Sequence, residues 1–232
     1  MATRDLVLIP GLLCTEDLFA AQVAGLAGIA RIIVADHRRQ DTVAGLAAAI
    51  LKEAPDRFAL AGLSMGGYIA FEILRQAPGR VERLALMDTS ARPDAPEQSE
   101  NRRRLVAVAE RKGVAVAARE MFAKLVAPMR AEEKVLKSAF LEMAEATGVE
   151  CFARQQSAIM NRPDSRATLA VINCPTLVLV GSEDQLTPPE VAHEMARGIA
   201  GSRLAVVAGS GHLSTLEEPD VVTAELKAWL EG

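Results

Sequence analysis

The stretch Phe58-Ala59-Leu60-Ala61-Gly62-Leu63-Ser64-Met65-Gly66-Gly67 decides the fold of this chain. Phe58 to Gly62 is an uninterrupted apolar run, followed by a serine bracketed by glycines and then by a segment, Tyr68 to Gln76, with helical spacing. A strand without polar alternation is one buried on both faces, as in a parallel sheet covered by helices. The order of strand, tight turn and helix puts Ser64 on a sharp bend. Side chains at the flanking positions would collide with neighbouring backbone there, which explains glycine at 62 and 66.

Outward from this stretch, five more apolar runs repeat the pattern: Leu6 to Ile9, Ile32 to Ala35, Leu84 to Met87, Thr176 to Val180 and Leu204 to Val207. Between most of them lie helical segments with recognisable ends. Thr15 can cap a helix with Glu16 and Asp17 in its first turn, Pro188 and Pro189 stand where another begins, and Gly201 where one ends. The alternation predicts an α/β fold with a mostly parallel sheet of about six strands, helices on both faces, and ligands at the carboxyl ends of the strands. From Ala91 to Arg166 no strand is read and helical patterns follow one another. Arg92-Pro93-Asp94-Ala95-Pro96 and Asn161-Arg162-Pro163-Asp164 bound this interval with turn-forming residues. The expected organisation is a core of residues 1–90 and 167–232 interrupted by a helical insertion at 91–166.

A chain of 232 residues can enclose one core with such an insertion. Half its residues are apolar but only 3% are aromatic, so the core is built from Ala, Val, Leu and Ile. A net charge of −4 argues against a nucleic-acid or anionic-membrane surface. The single basic cluster, Arg102-Arg103-Arg104, lies near Glu97, Glu100 and Glu110 and reads as a solvated helix face. Cys14, Cys151 and Cys174 show neither a CxxC pair nor metal-ligand spacing, which suits a reduced compartment. The lead-in from Met1 to Asp5 meets an apolar run too short for a signal segment, and no stretch approaches the roughly twenty apolar residues of a membrane span. A soluble, cytoplasmic protein is expected. No phosphate cradle, metal-ligand cluster or dinucleotide fingerprint is read, so no cofactor is expected.

A serine hydroxyl needs a base within hydrogen-bond reach to act as a nucleophile at neutral pH, and the base needs a third group to fix its tautomer. Of the three histidines, His37 in Asp36-His37-Arg38-Arg39 reads as a solvated loop residue, and His193 as a surface residue of the helix beginning near Pro188. His212 differs, because Gly209-Ser210-Gly211-His212 follows the last strand and puts the imidazole on the productive rim of the sheet. For the acid, Gly181-Ser182-Glu183-Asp184-Gln185 follows the fifth strand on that rim. Asp184 is preferred to Glu183, since adjacent side chains do not readily point the same way and the shorter one fits the turn. Asp88, in Met87-Asp88-Thr89-Ser90, also reaches the rim and is the reserve candidate. Serine, aspartate and histidine thus occur in the order expected for nucleophile, acid and base on such a sheet.

Gly-Leu-Ser-Met-Gly-Gly, Val-Gly-Ser-Glu-Asp-Gln-Leu-Thr-Pro-Pro and Gly-Ser-Gly-His-Leu-Ser-Thr-Leu-Glu-Glu-Pro closely resemble the three signature blocks of the α/β-hydrolase superfamily, in order and over nearly the whole chain. The resemblance implies an oxyanion hole made by the backbone amides of Met65 and Leu12. It also implies that the insertion is a cap over the site, with Met121, Met129, Met143 and Met160 beside Phe122, Phe140 and Phe152 either lining a pocket or holding the cap together. Where the family often has His-Gly, this chain has Pro10-Gly11; Asp36 to Thr42 lacks the frequent Gly-His-Gly turn, and the first two strands of the full fold are not read. The implied activity is cofactor-free hydrolysis of a small, partly apolar ester, lactone or thioester. Carbon–carbon bond hydrolysis, perhydrolysis and non-catalytic ligand reception on the same fold remain the alternatives.

Overall fold

The computed structural model describes residues 4–232. Met1 to Thr3, and the reading of the lead-in that begins with them, lie outside the described residues. Six strands, β1 (Arg4–Ile9), β2 (Ala30–Val34), β3 (Phe58–Leu63), β4 (Val81–Met87), β5 (Thr176–Gly181) and β6 (Arg203–Val207), form one sheet in the order β2-β1-β3-β4-β5-β6. Every pairing is parallel. Each apolar run of the sequence lies in a strand, with boundaries differing by up to a few residues.

The runs are continuous because each strand feeds two cores. Leu6 and Leu8 of β1 enter one cluster and Val7 and Ile9 the other; Leu177 and Leu179 of β5 are likewise separated from Val178 and Val180. The period-2 geometry of a strand is preserved, but both faces meet apolar helices. Helices α1 (Ala20–Leu26), α2 (Val43–Glu53) and α3 (Met65–Gln76) follow the first three strands. After β4 come four helices without an intervening strand, α4 (Pro96–Lys112), α5 (Val114–Leu125), α6 (Lys134–Thr147) and α7 (Val149–Met160). These are the helical cap insertion. The short α8 (Arg166–Leu169) leads to β5, and α9 (Pro189–Gly198), α10 (Ser214–Glu217) and α11 (Pro219–Glu231) complete the chain.

Thr15 caps a short 3-10 turn at Glu16–Phe19 by accepting from the Asp17 amide, and α9 begins at Pro189 as its prolines predict. That helix ends at Gly198 rather than at Gly201. Ile199 is drawn into the core in extended conformation, and Gly201, at φ +71°, makes the later turn toward β6. In the cap, Phe122, Phe140, Phe152 and Met143 are buried, whereas Met129 is 85% exposed and takes no part in packing or lining. Among the described residues no helix is long and apolar enough to cross a membrane.

Sheet order locates the site. The chain leaves β1 for β2 on one side and returns to β3 on the other, so the loops after β1 and β3 diverge above adjacent strands, with Ile9 paired to Gly62. A crevice opens at such a switch point.

Candidate active site

Ser64 stands between β3 and α3 at φ +55°, ψ −113°, a region that a residue with a Cβ occupies only when its surroundings impose it. Close packing imposes it here. A Cβ on Gly62 would lie 2.3 Å from the Gly66 carbonyl oxygen, and one on Gly66 would lie 2.1 Å from that of Ile9. The Ser64 amide donates to Met87 O at 2.9 Å, and the Thr89 hydroxyl donates to Ser64 O at 2.7 Å, which ties the bend to the end of β4.

The structure brings the three distant residues together. His212 Nε2 is 2.8 Å from Ser64 Oγ, and its Nδ1 is 2.8 Å from Asp184 Oδ2. Asp184 also accepts from the Leu186 amide at 2.8 Å, the Thr187 amide at 3.0 Å and the Thr187 hydroxyl at 2.7 Å. It therefore caps its own loop and reaches the imidazole at once, while Glu183 is exposed. Burial pushes the Asp184 carboxyl up, but the His212 charge and hydrogen bond, with the Thr187 donors, outweigh it and hold the pKa at about 2. For His212, burial works against the charged form, yet the charge and hydrogen bond of Asp184 prevail and raise its pKa above the ordinary 6.5. Asp88 is also buried on this rim but makes no hydrogen bond to His212. It accepts from the Gly181 amide at 2.9 Å and contacts the Ser214 hydroxyl.

Leu12 and Met65 both sit beside this group. Met65 is the first residue of α3, where the amide has no partner within the helix. Leu12 borders the cavity beside Ser64, and its amide donates to no group among the described residues. Pro10-Gly11 leaves that amide available, and the loop is fixed by two residues that the sequence did not mark. His37, expected in solvent, is 1% exposed: its Nε2 lies 2.9 Å from Gly11 O and 3.1 Å from Gln155 Nε2. Burial lowers its pKa, so the ring is neutral and can donate to Gly11 O. Gln155 of α7, from the cap, accepts the Leu13 amide at 3.1 Å. The peptides on both sides of Leu12 are thus held by side chains more than a hundred positions apart, because α7 folds over the loop. His193 is on the surface, as expected.

Two more functional neighbours escaped the sequence. Thr187 donates to Asp184 and approaches His212 Nδ1 at 3.3 Å. Glu217, buried in α10, accepts from the Gly211 amide at 2.9 Å and from the Ala127 amide at 2.8 Å, clamping the His212 loop to the segment of the cap that follows α5. Asp184-x-x-Thr187 has the spacing of a side-chain cap and could have pointed to Thr187. Glu217 left no such signal.

A cavity of about 520 Å³ opens over Ser64 and His212, walled by Leu12 on the sheet side and by Met121 and Phe140 from the cap. Arg102 also lines it, contrary to the expectation of a solvated face. It shares the inward stripe of α4 with the buried Ser99 and Leu105, and Asp94 draws its guanidinium inward.

A parallel α/β sheet with a serine bend, an opposed histidine and aspartate, and a helical cap defines a class of hydrolases. Residues 6–225 match the profile of the alpha/beta hydrolase family, and the chain belongs to that family and is an enzyme. A thermophilic esterase from Thermogutta terrifontis, solved with malate bound, is similar at TM-score 0.91 and 34% identity, over 98% of this chain and 89% of that one. The enol-lactonase from Burkholderia xenovorans LB400 is similar at TM-score 0.89 and 26% identity, over 100% and 93% of the two chains. In sequence, the AB hydrolase superfamily protein YisY of Bacillus subtilis (strain 168) is 33% identical over 178 residues, which cover 71% of this chain and 63% of that protein. The match therefore spans less than two thirds of that relative's length.

Proposed function

We propose that the chain is a serine hydrolase cleaving a small carboxylic ester, or its lactone form, through an acyl-enzyme. The observation that carries this reading is the pair of 2.8 Å hydrogen bonds running from Ser64 through His212 to Asp184 on the wall of the cavity. Ser64 Oγ attacks the carbonyl carbon as its proton passes to His212 Nε2. The carbonyl oxygen becomes an oxyanion, which the amides of Leu12 and Met65 stabilise; losing one such donor typically costs about 3 kcal/mol. Collapse expels the alcohol, which takes the proton from His212, and leaves the acyl group on Ser64. Water then attacks the acyl carbonyl, giving its proton to His212, and the acid departs as Ser64 recovers the proton. Asp184, kept anionic by its four donors, holds the imidazole in the required tautomer and balances its transient charge.

The Thermogutta esterase and the Burkholderia enol-lactonase support carboxylic ester or lactone substrates, being named for those activities and similar to this chain over most of its length. In this reading residues 91–166 serve as the cap that shields the acyl-enzyme. The three unbonded cysteines support a reducing, cytoplasmic setting. A fluorophosphonate probe tests the nucleophile: it is expected to label the protein once, at Ser64. Ser64→Ala is expected to abolish labelling and to lower p-nitrophenyl ester turnover by a factor on the order of a million while the protein stays folded. Labelling that persists in a folded Ser64→Ala protein overturns the assignment.

A further inference from the structure

The cap's contribution to the cavity is more basic than a chain of net charge −4 would suggest. Arg102 of α4 and Arg162, just beyond α7, both bind Asp94: Arg102 Nε lies 3.1 Å from Oδ2, and Arg162 Nη1 lies 2.8 Å from Oδ1. The Asp94 side chain is fully buried. Burial pushes its pKa up, but the two guanidiniums prevail and hold it below the usual carboxylate range, so it is ionised. One carboxylate between two guanidiniums leaves one positive charge unanswered.

Arg162 is the more enclosed of the two, since its Nε and Nη1 also reach the carbonyls of Arg92 and Ile159 and it lies over the Tyr68 ring at 4.2 Å. The Arg102 side chain is 20% exposed against 6% for Arg162. Arg102 Nη1 donates to Gln156 Oε1 at 3.0 Å, and its Nη2 meets no acceptor among the described residues. Lys124 of α5 lines the same cavity, is exposed, and has no carboxylate partner among the described residues. The other two cations of the lining are neutralised, Arg92 by Glu194 at 2.7 Å and Arg104 by Glu120 at 2.8 Å.

Gln156 supplies an independent sign. It is fully buried on α7 and borders the cavity. Because its Oε1 accepts from Arg102, the orientation of its amide is fixed, and its Nε2 is a buried donor with no acceptor among the described residues. Buried donors are nearly always paired, so an orphan beside a cavity points to an acceptor supplied from outside the chain.

We infer that this part of the cavity is an anion subsite and that the substrate is an ester carrying a free carboxylate. Arg102 holds the carboxylate, the Gln156 amide completes the donor set, and Lys124 draws the anion into the cavity. Guanidinium and amide donors fit a planar carboxylate, whereas a purely apolar substrate would leave both without acceptors. The inference rests on the ester-hydrolase reading above and adds the substrate class to it.

Three phenyl esters test it: phenyl butyrate, phenyl hydrogen glutarate with the anion on the acyl side, and 4-carboxyphenyl butyrate with the anion on the alcohol side. Each kcat/KM is divided by the rate of that ester's hydrolysis by hydroxide. One of the anionic esters is expected to exceed phenyl butyrate by about tenfold or more, and which one shows the side on which the carboxylate lies. Lys124→Met and Arg102→Met are each expected to pull that ratio toward one, chiefly through KM. Arg102→Met removes a partner of Asp94, so the exposed Lys124→Met decides the matter if the first variant does not fold. Anionic esters no better than phenyl butyrate, or a preference that Lys124→Met leaves unmoved, overturn the subsite. A wild-type enzyme inert toward all three overturns the hydrolase reading on which it rests.

Discussion

Asp88 follows β4 and Asp184 follows β5, at the ends of neighbouring parallel strands, and both carboxyls are buried on the same rim. Burial pushes both upward in pKa, yet Asp184 ends at about 2 and Asp88 at about 8. The difference lies in the donors. Asp184 receives two backbone amides, the Thr187 hydroxyl and His212. Asp88 receives the Gly181 amide and contacts the Ser214 hydroxyl, and the negative charge of Asp184 raises it further. One becomes a fixed charge facing an imidazole, and the other a largely neutral brace at neutral pH. That brace is well placed, because Gly181 is the last residue of β5, at the start of the loop carrying Asp184. Residue type and strand position are shared, so the local donor set decides the role.

Asp184→Asn attacks the comparison most directly. On the proposed mechanism the amide can no longer hold His212 in the productive tautomer, and kcat is expected to fall by roughly four orders of magnitude with little change in KM. Asp88→Asn is expected to alter kcat by only a few-fold. Steady-state kinetics of the two folded variants checks this, and the opposite ranking would move the acid to Asp88.

The pH profile sharpens the same contrast. His212 accepts a proton only when neutral, and its pKa is raised above 6.5. As pH falls through that raised value the imidazole becomes charged, so kcat/KM is expected to drop tenfold per pH unit with its acid limb centred above 6.5. The residual activity of Asp184→Asn is expected to show this limb at lower pH, because the main cause of the rise is removed while burial remains. A profile flat from pH 5 to 8 would remove His212 from the role of base.

Much of this arrangement was legible in the sequence because it is local. Apolar runs announce strands, and each loop that follows a strand carries its residues to one rim, so Ser64, Asp184 and His212 could be placed without coordinates. What local reading misses is what arrives from another element. Gln155 and His37 meet only because α7 folds over the loop after β1, and neither residue's neighbours in sequence suggest it. Arg102 was misread for another reason. A run of three arginines looks uniform, but on a helix only Arg102 shares the stripe of Ser99 and Leu105, and only its spacing to those residues marks it as inward. Asp88 was kept as a reserve to Asp184, because the donors that separate the two come largely from folded backbone.

The last expected effect concerns stability, and it isolates Asp88 from catalysis. With a folded pKa of about 8 against an ordinary value of 3.8, Asp88 binds its proton more tightly in the folded state. Its contribution to stability is therefore fully present below pH 3.8 and is lost progressively as pH rises through about 8. Asp88→Asn removes this dependence while keeping the geometry, since the amide oxygen can accept from Gly181 and the amide nitrogen can donate to Ser214. Titrating groups away from Asp184 and His212 affect both proteins alike, so the difference in Tm between variant and wild type is the quantity to follow. It is expected to be small near pH 4 and to grow in favour of Asp88→Asn up to pH 8, by about 2–4 °C for each kcal/mol of proton linkage in a chain of this size. Thermal melts at unit pH intervals measure it. A difference that stays constant, or shrinks as pH rises, would mean that Asp88 is ionised in the folded protein, and the contrast with Asp184 would fail on its own electrostatics.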